Sequence, residues 1–406
     1  MNILLVAGEL PPSLRSAGIG TYINELAINL NKISHKVVII APNDNIFKNY
    51  QINRDGVDIY FLSGGDFYVG RTFFARVLNR IYKKLNFDSF RMKVSRKIKE
   101  LDSIYNFDVV EIQEYDNLGK FWLKERTIPS VIRFHGPSSL DRADSKIRIR
   151  TKKQLAELEI LSDSDRHSFV SKGLRDTIFD SEYFPKNSVP NEVIHNSVQT
   201  EREPIFDNLK ASSYATEIIG AGTIGMAKGW DRLVEAVKKL NEDGHNINLT
   251  LYGREADLSK KLESFANSLP ANNKWLKIRK PISKDILIKK FFTADISIFP
   301  SLYETFSMIY LEAMSVGGLV IAGSDGGGKE LINDGKNGFL LSSKESTHKF
   351  AEKIKKIINL DEREKIQIRK EAFNTVKNNF SYSEFLDKQI NCYKKAKKTF
   401  LDQGLK

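Results

Sequence analysis

Short apolar runs rich in β-branched residues alternate with helical patterns along the chain. In the first half the runs are NILLVAG, KVVIIAP, VDIYFLS, DVVEIQE, SVIRFHG and RHSFVS, and in the second half they are EIIGAGT, NLTLYGR, WLKIRK, ISIFPS, GLVIAGS and GFLL. Strands that are separated by helices imply right-handed βαβ crossovers, which build parallel sheets. The pattern therefore predicts an α/β fold with parallel strands.

The alternation stops at a polar, poorly periodic passage, residues 198–215, and then restarts. The strands are too many for one ordinary sheet, so we expect two doubly wound domains, residues 1–200 and 201–380, that face each other across a cleft. Ligands bind outside the carboxyl ends of the strands in such sheets, which makes the cleft the predicted site. In the tail, residues 381–406, Ser381 and Glu384 have the spacing of a capping box and predict one last helix.

Three glycine-bearing turns each follow a strand and open a helix. They contain Gly18 with Gly20, Gly222 with Thr223 and Lys228, and the triple glycine of SDGGGKELI. Backbone N–H groups point outward at a helix N-terminus, where the helix dipole favours negative charge. One such turn is weak evidence because tight turns use glycine anyway, but three around one cleft predict a phosphate-bearing ligand. Lys228 would place a point charge on a diphosphate; the alternative is a solvated loop lysine.

Two carboxylates, Glu304 and Glu312, lie eight positions apart in SLYETFSMIYLEAM. Eight helical residues rise about 12 Å, whereas the paired carboxyls of glycosidases lie about 5 Å to under 10 Å apart. The spacing suits the two ends of one elongated, hydroxyl-rich ligand, such as a nucleotide sugar. His135, at the end of a predicted strand, would donate to the sugar. The alternatives are a loop acid for Glu304, an exposed helix residue for Glu312 and a hydrogen-bonded loop histidine for His135.

Composition narrows the class of protein. The single cysteine, Cys392, excludes a disulfide framework and fits a reducing compartment. No apolar stretch reaches the roughly eighteen residues that a membrane span needs, and the N-terminus enters a strand-like run without a signal-peptide pattern. These features predict a cytoplasmic protein. The histidines and the cysteine follow no ligand spacing, so no metal site is expected.

The formal net charge of +12 is partly local. Residues 71–99 hold ten basic side chains and one acid, with apolar residues at helical spacing. Two interpretations stay open: an amphipathic helix that lies on an anionic membrane surface, and a core-packed helix with a solvated charged face. A nucleic-acid partner is not expected, because no motif of the known binding modules is present.

The stretch FPSLYETFSMIYLEAMSVGGLVIAGSDGGGKELINDGKNGFLL resembles the signature of the retaining glycosyltransferases of family 4, whose GT-B fold has two Rossmann-like domains. The resemblance runs over nearly the whole chain. It implies that Glu312 binds the donor ribose, that Glu304 contacts the transferred sugar near the reacting carbon, and that Lys228 contacts the phosphates. It also implies that Gly18 and Gly20 form the N-terminal glycine loop.

The same resemblance assigns His135 to the donor sugar. The remaining donor-binding candidates come from two segments. Thr305, Phe306 and Ser307 follow the first glutamate of the signature, and Gly222 and Thr223 lie in the second glycine turn. In this fold the last helix, here 381–400, commonly crosses back onto the N-terminal domain.

The chain departs from the family pattern in several places. Thr223 stands where an arginine usually partners the lysine, so charge on the diphosphate must be stabilised by Lys228, by backbone donors or by a basic residue elsewhere. Residues 196–199 read NSVQ instead of Asn-Gly-Val-Asp, Ser307 replaces a common glycine, and SDGGGKE is one residue shorter than usual. None of these changes touches the glutamate pair.

The resemblance implies a retaining, metal-independent hexosyltransferase without a cofactor. Its donor would be a UDP- or GDP-sugar, and its acceptor a glycan or a lipid-linked sugar in bacterial surface polysaccharide or glycolipid assembly. Contact with the inner face of the membrane would involve residues 71–99.

Two other classes stay open. One is a non-catalytic subunit, which Thr223 favours and the intact Glu304, Glu312 and Lys228 disfavour. The other is a different GT-B enzyme: a sugar-nucleotide epimerase, which would convert donor without an acceptor, or a phosphorylase, which would need pyridoxal phosphate on a lysine.

Overall fold

The structure, a computed structural model, describes residues 1–11, 18–43, 48–64, 73–141, 146–159, 163–183, 189–200, 204–206 and 215–404. For residues 73–87 it describes the backbone only.

The strands of the first half form one large sheet and one small ribbon. In chain order they are β1 (Asn2–Val6), β2 (Lys36–Pro42), β3 (Tyr50–Arg54), β4 (Val57–Leu62), β5 (Val109–Gln113), β6 (Ser130–Phe134), β7 (Leu140–Asp141), β8 (Lys146–Ile147), β9 (Arg166–Phe169) and β10 (Asn191–Val193). The large sheet has the order β10-β9-β6-β5-β1-β2-β4-β3, and β7 pairs with β8. Neighbouring strands of the large sheet are parallel, except that β3 runs antiparallel to β4.

The second half has a smaller, fully parallel sheet. Its strands are β11 (Thr216–Ala221), β12 (Ile247–Tyr252), β13 (Leu276–Arg279), β14 (Ile296–Phe299), β15 (Val320–Gly323) and β16 (Phe339–Leu341). Their order is β13-β12-β11-β14-β15-β16, and every pairing is parallel. The predicted α/β fold with two parallel, doubly wound sheets is confirmed. The exact boundaries 1–200, 201–380 and 381–406 stay a prediction.

Helices follow most of the strands in the described part of the chain, and the last three helices come after β16. They are α1 (Gly18–Lys32), α2 (Phe73–Tyr105), α3 (Lys152–Glu159), α4 (Lys172–Phe179), α5 (Trp230–Glu242), α6 (Ser259–Ser268), α7 (Lys284–Thr293), α8 (Met308–Met314), α9 (Gly328–Leu331), α10 (Thr347–Ile358), α11 (Glu362–Asn379) and α12 (Tyr382–Asp402). No helix in these ranges combines the length and the apolar composition that a bilayer span needs.

The central strand β1 shows why the sequence reads as continuous apolar runs. Its alternate side chains enter two different cores: Leu4 packs in the cluster that contains α2, and Ile3 and Leu5 pack in the cluster that contains α1 and α12. A parallel strand that is covered on both faces needs apolar residues at every position. The strands absent from the sequence-based prediction are the edge strands β3 and β10 and the ribbon, which are short or polar and lack this signal.

Helix α12 packs on the first sheet. The Ser381 hydroxyl accepts from the Glu384 amide at its start, as the capping box predicts. Its buried face, which includes Phe385, Cys392 and Tyr393, shares a core with α1 and the first-sheet strands. Cys392 is fully buried there and serves packing.

The described part of α2 has a core-packed side. Val94 and Ile98 are buried, and the buried Arg91 donates to the Asp116 carbonyl at 2.7 Å and 3.0 Å. Lys97 pairs with Glu100 at 2.6 Å. This half of the basic segment therefore packs one side into the core, as the second interpretation predicts, but Arg91 and Lys97 bind partners within the chain, so the charged face is not solvated throughout. Residues 71 and 72 and the side chains of 73–87 lie outside the described residues, and the membrane contact stays a prediction.

Arg369 ties α11 to the second domain. The residue is 6% exposed, and its guanidinium donates to the carbonyls of Phe292, Gly317, Ala294 and Asp295 at 2.6–3.2 Å. Burial lowers the pKa of Arg369 to about 10, which leaves it charged at neutral pH. A single side chain thus satisfies carbonyls at the ends of two helices and at the start of β14.

We expect Arg369→Met to lower the free energy of unfolding by roughly 3 kcal/mol, because several buried carbonyls lose their donor at once. Arg363→Met, on the exposed side of the same helix, is the matched control and should change it by less than about 0.5 kcal/mol. Urea denaturation followed by tryptophan fluorescence measures both. Equal effects of the two variants would contradict the role of Arg369.

Candidate active site

The second glycine turn positions Lys228. After β11, a short 3₁₀ helix, Met226–Lys228, leads into Gly229, whose φ of +68° is left-handed. A Cβ on Gly229 would lie 2.2 Å from the Pro300 carbonyl oxygen, so only glycine permits this approach. The Leu302 amide also donates to the Ala227 carbonyl at 3.1 Å. The turn is therefore fastened to the loop that follows β14.

The loop after β14 carries Glu304, and the third glycine turn holds it from the other side. The Glu304 amide donates to the Asp325 carbonyl at 3.1 Å, and the Gly327 amide donates to the Glu304 carbonyl at 2.8 Å. Gly326 has φ +90°, and a Cβ there would lie 2.0 Å from the Glu304 carbonyl oxygen. Two glycine turns thus fix the backbone of one carboxylate.

Lys228 and Glu304 meet as a result. The Lys228 ammonium donates to Glu304 Oε1, and the two side chains are 25% and 12% exposed. A cation suited to a phosphate and an acceptor suited to a sugar hydroxyl therefore lie side by side, and the roles assigned to them stay a prediction. Thr223 lies exposed on the same turn, where its carbonyl accepts from the Trp230 indole N–H at 2.9 Å.

Glu312, on α8, meets a residue that the sequence analysis missed. Lys284, at the start of α7, lies 3.4 Å from Glu312 Oε1 and 2.9 Å from Glu25 Oε1 of α1. Burial raises the pKa of Glu312 although Lys284 opposes the shift. Burial alone would lower the pKa of Lys284, but the two acids outweigh it and raise it. Lys284 thus links an acid of each domain at the domain contact.

The N-terminal glycine turn differs in detail from its prediction. Gly18 and Gly20 lie within α1, at the start of its described part, instead of before it. The Gly20 amide donates to Glu9 Oε1 at 3.0 Å. The Glu9 carboxylate therefore accepts from one of the backbone amides that were predicted to bind a phosphate. Residues 12–17 of this turn lie outside the described residues.

His135 follows β6 on the first domain. Its backbone amide and that of Gly136 donate to Glu114 Oε1 at 2.8 Å and 2.6 Å. The ring hydrogen-bonds through Nε2 to Gln113 Oε1, and its centroid lies 4.8 Å from that of Tyr22. Burial, helped by the positive charge of Arg133, lowers the pKa of His135 well below its ordinary value. The imidazole is therefore neutral at pH 7.

The two domains touch beside these residues. A Cβ on Gly136 would lie 2.7 Å from Thr305 Cγ2, so the loop of His135 abuts the loop of Glu304. The Ser171 hydroxyl donates to the Thr305 carbonyl, and Phe306 stacks on His195 with centroids 5.3 Å apart. The side chains of residues 305–307 are buried, so they pack at this contact and do not line open space.

Two family models match the chain and together cover most of it. The model described as Glycosyltransferase Family 4 matches residues 16–202, and the model described as Glycosyl transferases group 1 matches residues 201–373. The chain belongs to glycosyltransferase family 4. The resemblance on which the sequence analysis relied is thereby confirmed.

One curated relative of this family 4 chain is the lipopolysaccharide 1,2-N-acetylglucosaminetransferase of Salmonella typhimurium. It is 27% identical over 190 residues, which are 45% of this chain and 49% of that protein. The chain therefore spans about half the length of this relative.

Solved structures match over almost the entire chain. The sucrose-phosphate synthase of Thermosynechococcus elongatus superposes with a TM-score of 0.78 at 16% identity, over 97% of this chain and 98% of that one. An Escherichia coli trehalose-6-phosphate structure bound with UDP-2-fluoro glucose gives a TM-score of 0.74 at 13% identity, over 97% and 99%. These likenesses show that the family 4 chain has the GT-B fold.

Glu330 is a second residue that the sequence analysis missed, although it lies in the quoted stretch SDGGGKELI. From α9 of the second domain it accepts from the amides of Lys172 and Gly173, at the start of α4, at 2.9 Å and 2.7 Å. It also pairs with His195 Nε2 at 2.7 Å. An acid in the third glycine turn thus caps a helix of the opposite domain.

The missed residues share one reason. Glu25, one of the two partners of Lys284, and all three partners of Glu330 lie on the other domain, 259 and 135–158 positions away in the chain. No local spacing encodes such a pair.

Among the described residues, no group of three or more histidine, cysteine, aspartate and glutamate side chains is arranged to hold a metal ion.

We expect Glu330→Gln to lower the free energy of unfolding by roughly 1.5 kcal/mol at pH 7, because an amide cannot accept from all three donors. Burial would raise the pKa of Glu330, but the hydrogen bonds from His195, Gly173 and Lys172 outweigh it and hold the pKa below its ordinary 4.5. A depressed pKa contributes stability above the unfolded pKa, and that stability is lost as the pH falls through the folded value.

Thermal unfolding between pH 7 and pH 3 measures this difference. The melting temperature of the native protein should exceed that of the variant above the ordinary value of 4.5, and this difference should shrink as the pH falls below it. Glu263→Gln, an exposed substitution on α6, should leave the whole profile unchanged. A gap that is independent of pH would show that the charge of Glu330 does not stabilise the domain contact.

Proposed function

We propose that this protein transfers a hexose from a UDP- or GDP-sugar to an acceptor hydroxyl with retained configuration. The observation that supports this most is the Lys228–Glu304 pair, which two glycine turns hold at the domain contact beside the loop of His135. The cation and the carboxylate come from the second domain, and the loop that carries the neutral imidazole abuts them from the first domain through Gly136 and Thr305. The Escherichia coli structure with the same fold is bound with UDP-2-fluoro glucose, which supports a nucleotide sugar as the donor.

The reaction needs no side-chain nucleophile. The leaving diphosphate takes the proton of the acceptor on the same face of the sugar, while Lys228 and the backbone N–H groups of the glycine turns stabilise its growing charge. Glu304 orients the sugar and supports the electron-deficient anomeric carbon. Closure of the domains excludes water, which would otherwise turn transfer into hydrolysis.

Glu312 binds the ribose in this scheme, and Lys284 is its present partner. A ribose hydroxyl that donates to Glu312 shares the carboxylate with Lys284 or displaces it. Because Lys284 also pairs with Glu25 of α1, the donor would alter a contact between the domains as it binds. Lys284 is also a basic residue at the cleft, where Thr223 brings no charge.

The acceptor in this proposal is a glycan or a lipid-linked sugar, used in bacterial surface polysaccharide or glycolipid assembly on the cytoplasmic side of the membrane. The lipopolysaccharide transferase of Salmonella typhimurium among the relatives supports this class of acceptor. Peripheral contact with the membrane would use the N-terminal part of segment 71–99.

A non-catalytic subunit is the second candidate, and the uncharged Thr223 favours it. A donor screen separates the two, because ligands that bind the folded state raise its melting temperature. UDP- and GDP-hexoses should stabilise the protein and be turned over slowly to free nucleotide without acceptor. No shift with any nucleotide sugar would overturn the proposed function; interconversion of donors without acceptor would identify an epimerase.

With a stabilising donor in hand, we expect Lys228→Ala and Glu304→Ala each to lower kcat for nucleotide release by about 100- to 1,000-fold, because each removes a group that acts on charge developing in the transition state. Circular dichroism should show intact folding. Lys260→Ala and Glu263→Ala, on the exposed face of α6, are the matched controls and should retain full turnover. Near-normal turnover in Lys228→Ala or Glu304→Ala would refute the role assigned to that residue.

We also expect full activity in excess chelator, because the scheme stabilises the diphosphate with Lys228 and backbone donors. Nucleotide release is measured with and without EDTA, and then with added Mg²⁺ or Mn²⁺. Activity that disappears with EDTA and returns with a divalent ion would contradict the metal-free scheme.

A further inference from the structure

We propose that a buried relay, Glu111–Gln113–His135, determines which ring nitrogen of His135 carries the proton, and that α12 completes this relay. Glu111 is 0% exposed and lies in the middle of β5, paired with Leu5 of β1. A charged residue in a central strand is costly unless hydrogen bonds compensate it. Two members of the relay, Glu111 and Gln113, lie where β5 breaks the apolar pattern of its strand.

Four groups donate to the Glu111 carboxylate. The Tyr22 hydroxyl and Gln113 Nε2 reach Oε1 at 3.2 Å and 3.0 Å, and Gln389 Nε2 and the Tyr393 hydroxyl both reach Oε2 at 2.7 Å. Burial raises the pKa of Tyr22 and of Tyr393 well above the ordinary value, so both hydroxyls keep their protons. Glu111 is therefore an acceptor at both oxygens.

Helix α12 supplies two of these donors from the far end of the chain. Gln389 has a defined orientation, because its Oε1 accepts from Arg133 Nη1 at 3.4 Å and arginine can only donate. Its NH₂ group must then face Glu111. The last helix thus helps to hold the carboxylate, 278 and 282 positions away in the chain.

The orientation of Gln113 follows from Glu111. A carboxylate can only accept, so the NH₂ group of Gln113 faces Glu111 and its Oε1 faces His135 Nε2. An amide oxygen can only accept as well, so Nε2 of His135 must carry a hydrogen. Because the ring is neutral, Nδ1 holds the lone pair. By orienting the Gln113 amide, Glu111 therefore selects the tautomer of His135 that carries its hydrogen on Nε2.

This tautomer changes what His135 offers to a ligand. The hydrogen bond described for the ring uses Nε2, so the remaining nitrogen, Nδ1, is an acceptor. His135 would therefore accept a hydrogen bond from a hydroxyl of the transferred sugar and would not donate one, contrary to the role in the sequence analysis. That a sugar reaches Nδ1 rests on the proposed function; the tautomer does not, since it depends on protein contacts alone. Glu111 and Gln113 are positioning residues.

Nitrogen-15 NMR of the full-length protein with labelled histidine tests the tautomer without any ligand. At pH 7 we expect His135 to show a neutral ring with a proton on Nε2, protected from exchange by Gln113; its signals are assigned by their loss in His135→Gln. A proton on Nδ1, or a charged ring, would overturn the proposal. Failure of the donor screen would leave this result unaffected, so the two proposals fail separately.

Glu111→Gln tests whether Glu111 causes His135 to prefer the tautomer with a proton on Nε2. Its new NH₂ group can donate to Gln113 Oε1, which lets the Gln113 amide turn, so the ratio of the Nε2–H form to the Nδ1–H form should fall about tenfold. Glu192→Gln is the matched control: Glu192 lies on β10 of the same sheet and pairs with Lys395 of α12 at 3.1 Å, but it has no contact with the relay among the hydrogen bonds described above.

The control should keep the single tautomer of the native protein. An unchanged tautomer in a folded Glu111→Gln variant, or a changed tautomer in Glu192→Gln, would overturn the role of Glu111. If Glu111→Gln does not fold, the position of the proton in the native protein still decides whether the relay sets the tautomer.

Discussion

The candidate active site depends on one close approach of backbones. The loop after β14 passes between two glycine turns, against Gly229 on one side and Gly326 on the other, at distances that exclude a Cβ. Glycine is the residue that permits such an approach in a left-handed conformation. This packing brings Lys228 to Glu304, and a side chain at either glycine would push the cation and the carboxylate apart. The glycine turns therefore position Lys228 and Glu304 whether or not an anion binds to the backbone amides of the turns.

Polar pairs hold the domain contact around this centre. Lys284 lies between Glu25 and Glu312, and Glu330 binds His195 and the start of α4. Polar contacts can exchange partners with a hydroxyl or a phosphate at small net cost, whereas an apolar contact would have to be exposed to water. The arrangement is suited to a cleft in which ligand binding and domain contact use the same side chains.

The interior of the first domain is organised around the Glu111 carboxylate. It collects donors from α1, from its own strand and from α12, so the last helix is joined to the site chemically as well as by packing. Arg133 serves the same region from β6, where it binds the Ile194 carbonyl at 2.9 Å and Asn196 at 2.7 Å. Residues 194–196 precede the passage between the two halves, so Arg133 fixes the chain just before that passage to β6.

The pattern of residues along the chain was sufficient for the class of fold, because parallel strands with both faces covered leave an apolar run that helices interrupt. It also made Lys228, Glu304, Glu312 and His135 the candidate site residues, through spacing and through the family signature; their roles stay a prediction. Edge strands such as β3 escaped prediction, since one exposed side removes the apolar signal.

Contacts between distant segments were decided by the folded chain. Three contacts are of this kind: the pairing of Lys284 with two acids, the capping of α4 by Glu330 and the hydrogen bond from the Gly20 amide to Glu9. In each case the sequence around one residue does not indicate its partner. The tautomer of His135 belongs to the same group, because it depends on a carboxylate, an amide and a distant helix. Local periodicity encodes which face of an element is buried; it does not encode which charge from another element will meet it there.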